Sequence, residues 1–573
     1  MATAKSIKRS YKQQSIFRFA AIVGVLMLLN VVGSFFYTRL DLTADKRFTL
    51  SDSTVQLMRR VDDQVFVKVY LTGDLPAGFK RLETSTRDML NELRSRSNGK
   101  LNYQFEDPLE GKSIDEKKKI YKEMMAKGLQ PTNIQTAGSD AYSEKIVLPG
   151  ATVYYKGREA SVNLLLNEQG TSSQNALNNS VARLENKFAS AIQNLSLGRK
   201  PKIGILRGQG ELPLYKLYDI ATSLGDFYEV DTLDAGRVLS IPKDYSALIV
   251  AKPTAPFDEK VKFKLDQYVM RGGSVLWLLD ALRADMDSLE VKSSFMALDY
   301  GLELDDQLFT YGVRLNPTLL MDLQCNPVPL LVNYHDNQPE FRLFPCYYFP
   351  VLTPSATNPH PITKEIDAVA GTFMATLDTA VVPGVRKTIL LSSSRYSRQA
   401  YTPWQVDFRT MKSAPERSGF NKSNFPVAVL LEGSFASAFK NRMPENMLRV
   451  LRDSLKTPFV EQSKPTRQIV VSDGDIIAND FSAKGQPYSL GYFKFTGENF
   501  ANKNFLLNCI DYLTGQNQRI VTRSKDVKLR LLDTEKVKAE KTKWQLINVA
   551  LPVLLVILFG IGYAFVRLRR YAA

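Results

Sequence analysis

Apolar and polar positions change rhythm several times along the chain. Residues 19–37, "FAAIVGVLMLLNVVGSFFY", form a run interrupted only by Asn30 and Ser34. As a helix it would be about 28 Å long, close to the thickness of a hydrocarbon core. A second run, Leu546 to Val566, carries Pro552 and two glycines, all tolerated in a membrane helix. Between the runs the pattern is that of folded α/β matter. "QVFVKVYL", 64–71, alternates as a half-buried strand does. Phe79, Leu82, Met89, Leu90 and Leu93 then recur at helical spacing, and "KLNYQFED" reads as a second strand. A helix near Glu116 to Lys127, paired strands in "EKIVLPGATVYY" and "REASVNLLL", and the helix "QNALNNSVARLENKFASAIQNL" follow. The order β-α-β-α-β-β-α predicts a thioredoxin-like domain over 38–198. Redox work in such a domain needs C-x-x-C after its first strand. That place reads "LTGDLPAG", so a binding or scaffold role remains.

From Pro201 short continuous apolar strands alternate with helices: "KIGIL", "YEVDTL", "YSALIVAKP", "SVLWLLD", "KTILLSSS", "FPVAVLLEGS" and "RQIVVSDGD". Strands of that kind predict a parallel sheet covered on both faces. The expected fold is therefore α/β: a doubly wound parallel-sheet domain over 199–520, similar to a non-catalytic class-I amidotransferase. A proline-rich insertion interrupts it at about 295–385. A juxtamembrane segment, 521–544, leads to a transmembrane helix at 545–566 and a short tail, 567–573.

Composition narrows the class. The chain has 573 residues and a net charge of +16. Lys5, Lys8, Arg9, Lys12 and Arg18 form a basic tail over 1–18, and Arg567, Arg569 and Arg570 follow the last apolar run. Cations flanking two spans are topology signals that place both termini in the cytoplasm. Lysines 536, 538, 541 and 543 run against that rule, which large translocated domains weaken. The first run is long for a signal peptide, and bulky "SFFYTRLDLT" follows it, so an uncleaved anchor is expected. The body, about 40 to 544, is then expected in the periplasm of a bacterial inner-membrane protein. Its mixed-sign surface excludes a nucleic-acid stripe. Arg523, Lys525, Lys528 and Arg530 suit lipid headgroups or an acidic partner surface, and equally a solvated helix face.

Little of the candidate chemistry is complete. Cys325 and Cys346 can pair in an oxidising compartment, with Cys509 single and buried. Those first two cysteines with His335 and His360 match no compact zinc spacing. Gly111-Lys112-Ser113 copies the end of a Walker A loop, but Glu106 stands where its first glycine belongs and Pro108 lacks an amide. Gly208 and Gly210 match two positions of a dinucleotide fingerprint, and Pro213 replaces the third glycine. No cofactor is expected. Ligands of open α/β sheets bind beyond the carboxyl ends of strands. Those ends supply Gly208-Gln209-Gly210-Glu211, Thr254, Asp280, Ser392-Ser393-Ser394, Glu432-Gly433-Ser434 and Asp473-Gly474-Asp475. They form either one polar, partly acidic crevice for a small ligand, cation or peptide, or ordinary turns and caps. No strand ends in Cys, and no G-x-S-x-G is present, so a catalytic set is not expected.

Several stretches together resemble the GldG family, auxiliary components of ABC-type transport systems associated with gliding motility. They are "RLDLTADKRFTLSDST" after the first span, "ILRGQGEL", "LDQYVMRGGSVLWLLD", "DLQCNPVPL", "NPHPIT", "VVSDGD", and "FLLNCIDYLTG" followed by "RSKDVKLRLLD". The resemblance covers nearly the whole chain. Where the family often has G-H-G-E, this chain has Gly208-Gln209-Gly210-Glu211 and lacks the imidazole. The resemblance implies a partner permease and a partner ATPase, with this chain binding cargo or gating the permease. A membrane-tethered hydrolase or amidotransferase-like enzyme and an envelope scaffold are the competing readings.

Overall fold

The computed structural model describes residues 17–28, 49–137, 142–165, 173–197, 200–286, 294–335, 338–354, 360–364, 366–413, 417–454, 456–523 and 534–571. The cationic tail up to residue 16, the later part of the first apolar run, and Lys525, Lys528 and Arg530 lie outside them. The chain divides into two compact units, Met1–Asp526 and Val527–Ala573.

In the first unit, strands β1 (Val65–Val69), β2 (Leu101–Phe105), β3 (Gly150–Tyr155) and β4 (Arg158–Asn163) form one sheet, ordered β2-β1-β3-β4. β1 and β2 are parallel, and β3 runs antiparallel to both β1 and β4. A parallel pair needs a crossover. Helix Ala77–Arg96 supplies it and buries Phe79, Leu82, Leu90 and Leu93, the face its spacing predicts. Gly111-Lys112-Ser113 starts a helix: Ser113 and Glu116 cap Ile114–Ala126 reciprocally.

The larger sheet has seven strands. They are β5 (Lys202–Arg207), β6 (Glu229–Asp234), β7 (Tyr245–Ala251), β8 (Ser274–Leu278), β9 (Val385–Ser392), β10 (Pro426–Gly433) and β11 (Thr466–Val471), ordered β9-β10-β11-β8-β7-β5-β6. β5 to β8 and β11 run parallel to their sheet neighbours among themselves. β10 is antiparallel to both β9 and β11, which corrects the expected all-parallel sheet. The reason lies in the connections. Parallel steps among β5 to β8 are bridged by helices such as Glu259–Met270, whereas the described segment before β10 runs through the strands Ser397–Tyr401 and Trp404–Asp407 and short helical turns, and the one after it through the short helical stretches Glu445–Arg449 and Val450–Ser454. Both faces are covered. Leu248 and Val250 of β7 join one core with Val261, Leu265 and Val269 of helix Glu259–Met270. Ala247, Ile249 and Ala251 join the other with Phe505, Leu506 and Ile510 of helix Asn502–Leu513. Two-sided burial explains why these strands read as continuous apolar runs.

Between β8 and β9 the chain makes short β-pairs and one long hairpin, Cys325–His335 with Gln338–Leu352. Helix Asn517–Arg523 packs where the first sheet's helices meet the second sheet. Arg519 donates to Asn194 of helix Leu184–Leu197, and Arg523 is buried with its guanidinium 2.6 Å from Asp511. Arg523 is therefore a core cation rather than a lipid-facing one, a correction to its expected role. Its partner Asp511 lies one helix earlier, inside a largely apolar run that also holds Asn508, a second acceptor for Arg523, so the sequence pattern hides the pair. In the second unit, helix Thr534–Tyr571 contains a stretch, Thr542–Arg569, long and apolar enough to cross a membrane. The first apolar run is described only as the shorter helix Phe17–Leu28.

Candidate functional site

The strand ends of β5, β7, β8 and β11 lie on one edge of the sheet, as their parallel direction requires. Asp280 follows β8 and the Asp473-Gly474-Asp475 turn follows β11, on adjacent strands. A residue that sequence reasoning passed over joins them. Lys252, just past β7, places Nζ 3.1 Å from Asp280 Oδ2 and 2.5 Å from Asp475 Oδ2. Its only sequence signal was a charge ending the apolar strand "YSALIVAKP". Lys252 holds a left-handed backbone, φ 51°, and Gly474 packs on it. A Cβ at Gly474 would stand 2.5 Å from Lys252 Cβ, so the close approach needs glycine there.

The hydrogen bonds show how the carboxylates are held. The Gly474 N–H donates to Asp280 Oδ1. Asp473 Oδ1 accepts from the N–H groups of Asp475 and Ile476, and Oδ2 accepts from Thr372 at 2.9 Å. Burial disfavours the charged Lys252, yet Asp280 and Asp475 outweigh it and hold the ammonium well above its ordinary range. Burial pushes Asp280 up to about 6, with Lys252 opposing and Asp475 adding to the rise. Burial and then the neighbouring carboxylates push Asp473 upward, while its amide donors pull back.

The glycine loop lies on the same edge. The Gln209 carbonyl accepts from Thr254 and Ala255, and the Thr254 hydroxyl donates to the Gly210 carbonyl at 2.9 Å. Gly210 has φ 73°, and a Cβ there would stand 2.3 Å from Thr254 Oγ1. Only glycine fits both demands. Glu211 Oε2 accepts from the Gln209 N–H at 2.9 Å. Gln209 and Glu211 are 7% and 6% exposed, and Gln209 Oε1 and Glu211 Oε1 have no hydrogen-bond partner. Buried oxygens without donors are costly, and a bound ligand, ion or water would relieve them.

Other expected members of the crevice stand apart. Ser393 bonds Ser397 and receives the Phe425 N–H, and Ser394 holds Asp322. Their partners lie in the strand Ser397–Tyr401, just before β10, and in the insertion, not in the Lys252 cluster. Because β10 is antiparallel, Glu432-Gly433-Ser434 falls on the opposite edge of the sheet, where Glu432 pairs with Arg386 and faces Arg467. That part of the expected ring is withdrawn. Cys325 and Cys346 are free thiols, the first half-buried and pushed up to about 12 by burial, the second buried and pushed higher. Burial also raises the Cys509 thiol. Among the described residues no three His, Cys, Asp or Glu side chains are grouped as a metal site.

Comparisons with known proteins place this arrangement. Residues 44–154, which contain the first sheet's β1 and β2, match a domain of unknown function. An uncharacterized protein of Borreliella burgdorferi (strain ATCC 35210 / DSM 4680 / CIP 102532 / B31) is 19% identical over 98% of this chain and 99% of its own length. Among solved structures, the N-terminal domain of mmIFT52 aligns at 12% identity over 55% of this chain and 97% of its own, with a TM-score of 0.29. Residues 200–509, which span all seven strands of the larger sheet and the whole Lys252 cluster, match a family model described as an ABC-type uncharacterized transport system. The chain belongs to that family of ABC-type transport auxiliaries.

Proposed function

We propose that the chain is a non-catalytic, extracytoplasmic auxiliary subunit of an ABC-type transport complex, of the gliding-motility kind. It binds cargo or gates a partner permease, and a separate ATPase supplies the energy. In this reading residues 19–37 and 545–566 are two spans, both termini are cytoplasmic, and the body is periplasmic. The two domains are taken as thioredoxin-like and amidotransferase-like, each used as a binding frame. The observation that carries the reading is the family match over the larger sheet, together with an unburied apolar helix at Thr542–Arg569. The carboxylates also support it. Those of the Lys252 cluster are tied to an ammonium and to backbone amides, which leaves them poorly placed for acid–base work. Cargo contact falls instead to the loop Gly208 to Glu211, whose two unpartnered oxygens call for a ligand that donates hydrogen bonds.

The test is to purify the full chain from its native membrane in mild detergent and identify what accompanies it. A stoichiometric permease and ATPase are expected. Recovery with envelope proteins alone would replace this reading with a scaffold. A hydrolytic activity lost in Glu211→Ala or Asp473→Ala, with folding intact, would replace it with an enzyme. Topology is checked with protease on sealed spheroplasts: the body should be cut without lysis.

A further inference from the structure

Beyond its base, where a third short strand, Val369–Ala370, joins it, the long hairpin of the insertion is a two-stranded ribbon with two unlike faces. In an antiparallel ladder, residues directly opposite one another share a face. The pairs Tyr334–Pro339, Leu331–Phe341 and Pro329–Leu343 therefore lie on one side. That side carries no charge, yet Tyr334 is 63%, Phe341 58% and Leu343 51% exposed. On the other side are Leu330–Arg342 and Val328–Phe344, and Glu340, which accepts from Arg342 Nε at 3.0 Å. Val328 is buried in the core there, so the apolar side points away from the body.

A lone two-stranded ribbon with an exposed apolar face is marginal in water. At its base Val351 and Leu352 pair with Ala370 and Val369; beyond the base its edges are poor templates for a further strand. Prolines 327, 329, 339 and 345 sit in the ladder, and a proline is accommodated only where its missing N–H would point outward. Both edges thus lose outward donors, and recognition is left to the face.

We infer that this face packs against the same face of a second copy of the chain, as a two-fold pair of ribbons. Three features select that occupant. The face offers no charge with which to choose a different protein, and heterologous specificity is usually written in charge. Being uncharged, the face also adds no like-charge repulsion of its own to a contact between two copies. The tip residues Asn333 and Gln338, with Asp336 and Asn337 between them in sequence, make insertion of the hairpin into a bilayer unfavourable. Area sets the strength. Aromatic and leucine side chains of this size and exposure, with the prolines, amount to roughly 500 Å² per copy, near the lower bound for a specific pair. Two copies held in one bilayer meet at raised effective concentration, which suits a contact of that size.

The test uses the full chain in mild detergent, with its protein mass measured by light scattering across a dilution series. A dimer is expected, and the double variant Phe341→Glu with Leu343→Glu should be monomeric, its self-association weakened about hundredfold or more, with an unchanged circular dichroism spectrum. In native membranes Phe341→Cys should form a disulfide-linked dimer on mild oxidation, while the wild-type chain, whose thiols are buried or half-buried, should not. The cross-link decides the matter alone if the double variant does not fold. A monomeric wild-type chain, a dimer that survives the double variant, or a Phe341→Cys chain that joins only another polypeptide overturns the inference. So does Phe341-dependent binding to phosphatidylglycerol vesicles without dimerisation.

Discussion

Replacing Lys252 with methionine keeps the length of the side chain and deletes its charge. In the wild type the ammonium is 3.1 Å from Asp280 and 2.5 Å from Asp475, and Asp280 is almost wholly buried. At an effective dielectric of about 20, a contact near 3 Å is worth roughly 5 kcal/mol before desolvation is subtracted. Deleting one partner of a buried pair typically costs about 3–5 kcal/mol, because the remaining charge stays buried. The cost should depend on pH. Asp280 titrates near 6 in the folded chain, against 3.8 for the free side chain, so the folded state binds its proton more tightly. Stability from this group is present at low pH and falls as pH rises through about 4 to 6. Without Lys252 the carboxyl rises further, and the falling limb extends to higher pH. Lys252→Met should therefore lose about 3–5 kcal/mol at pH 8 and roughly 1–2 kcal/mol at pH 5, where Asp280 is neutral. Urea unfolding of the detergent-solubilised chain can be followed through Trp277, which is buried in β8 beside the cluster. A loss under about 1 kcal/mol at pH 8 would refute the clamp. An equal loss at both pH values would refute Asp280 as the group that takes the proton.

Three further outcomes follow from the same geometry. Arg523→Ala strips Asp511 of its closest cation, at 2.6 Å in a site where both are buried, and should lower stability by about 3–5 kcal/mol in the same urea assay. Gly210→Ala forces a Cβ onto Thr254 Oγ1 at φ 73°, so it should cost about 1–3 kcal/mol; a neutral effect would mean that the loop is not held as described. In the folded chain at pH 7 a charged maleimide should label neither Cys346 nor Cys509, and Cys325 only slowly, with labelling of Cys325 still rising above pH 9. Three thiols released by denaturation without reductant are the expected count, and one thiol would indicate a Cys325–Cys346 disulfide.

The strands and helices with one dominant period were readable in the sequence. Phe79, Leu82, Leu90 and Leu93 marked the buried face of helix Ala77–Arg96 by spacing alone. The continuous run "YSALIVA" marked β7 as covered on both sides. Strand direction was not readable, because β10 has the same continuous burial whether it runs parallel or antiparallel. One reversed strand was enough to move Glu432 to the other edge and break the expected ring. Lys252 was missed for a related reason: a lysine after a strand is usually a solvated charge, and only the fold brings Asp280 and Asp475 around it. Arg523 and Asp511 likewise carry no sequence sign of burial, since a pair spread over two helices has no fixed spacing.

The acids along this edge are tied into the fold. Asp473 is satisfied by three backbone N–H groups, and Asp280 and Asp475 by one ammonium. Each of these acids closes a turn at the end of a strand. On the same edge one oxygen of Gln209 and one of Glu211 are left without a hydrogen-bond partner, and away from it the uncharged side of the long hairpin is exposed. In the proposed reading the chain works by contact: another molecule supplies the donors that the buried Gln209 and Glu211 oxygens lack, and the missing half of the interface at the exposed apolar hairpin face.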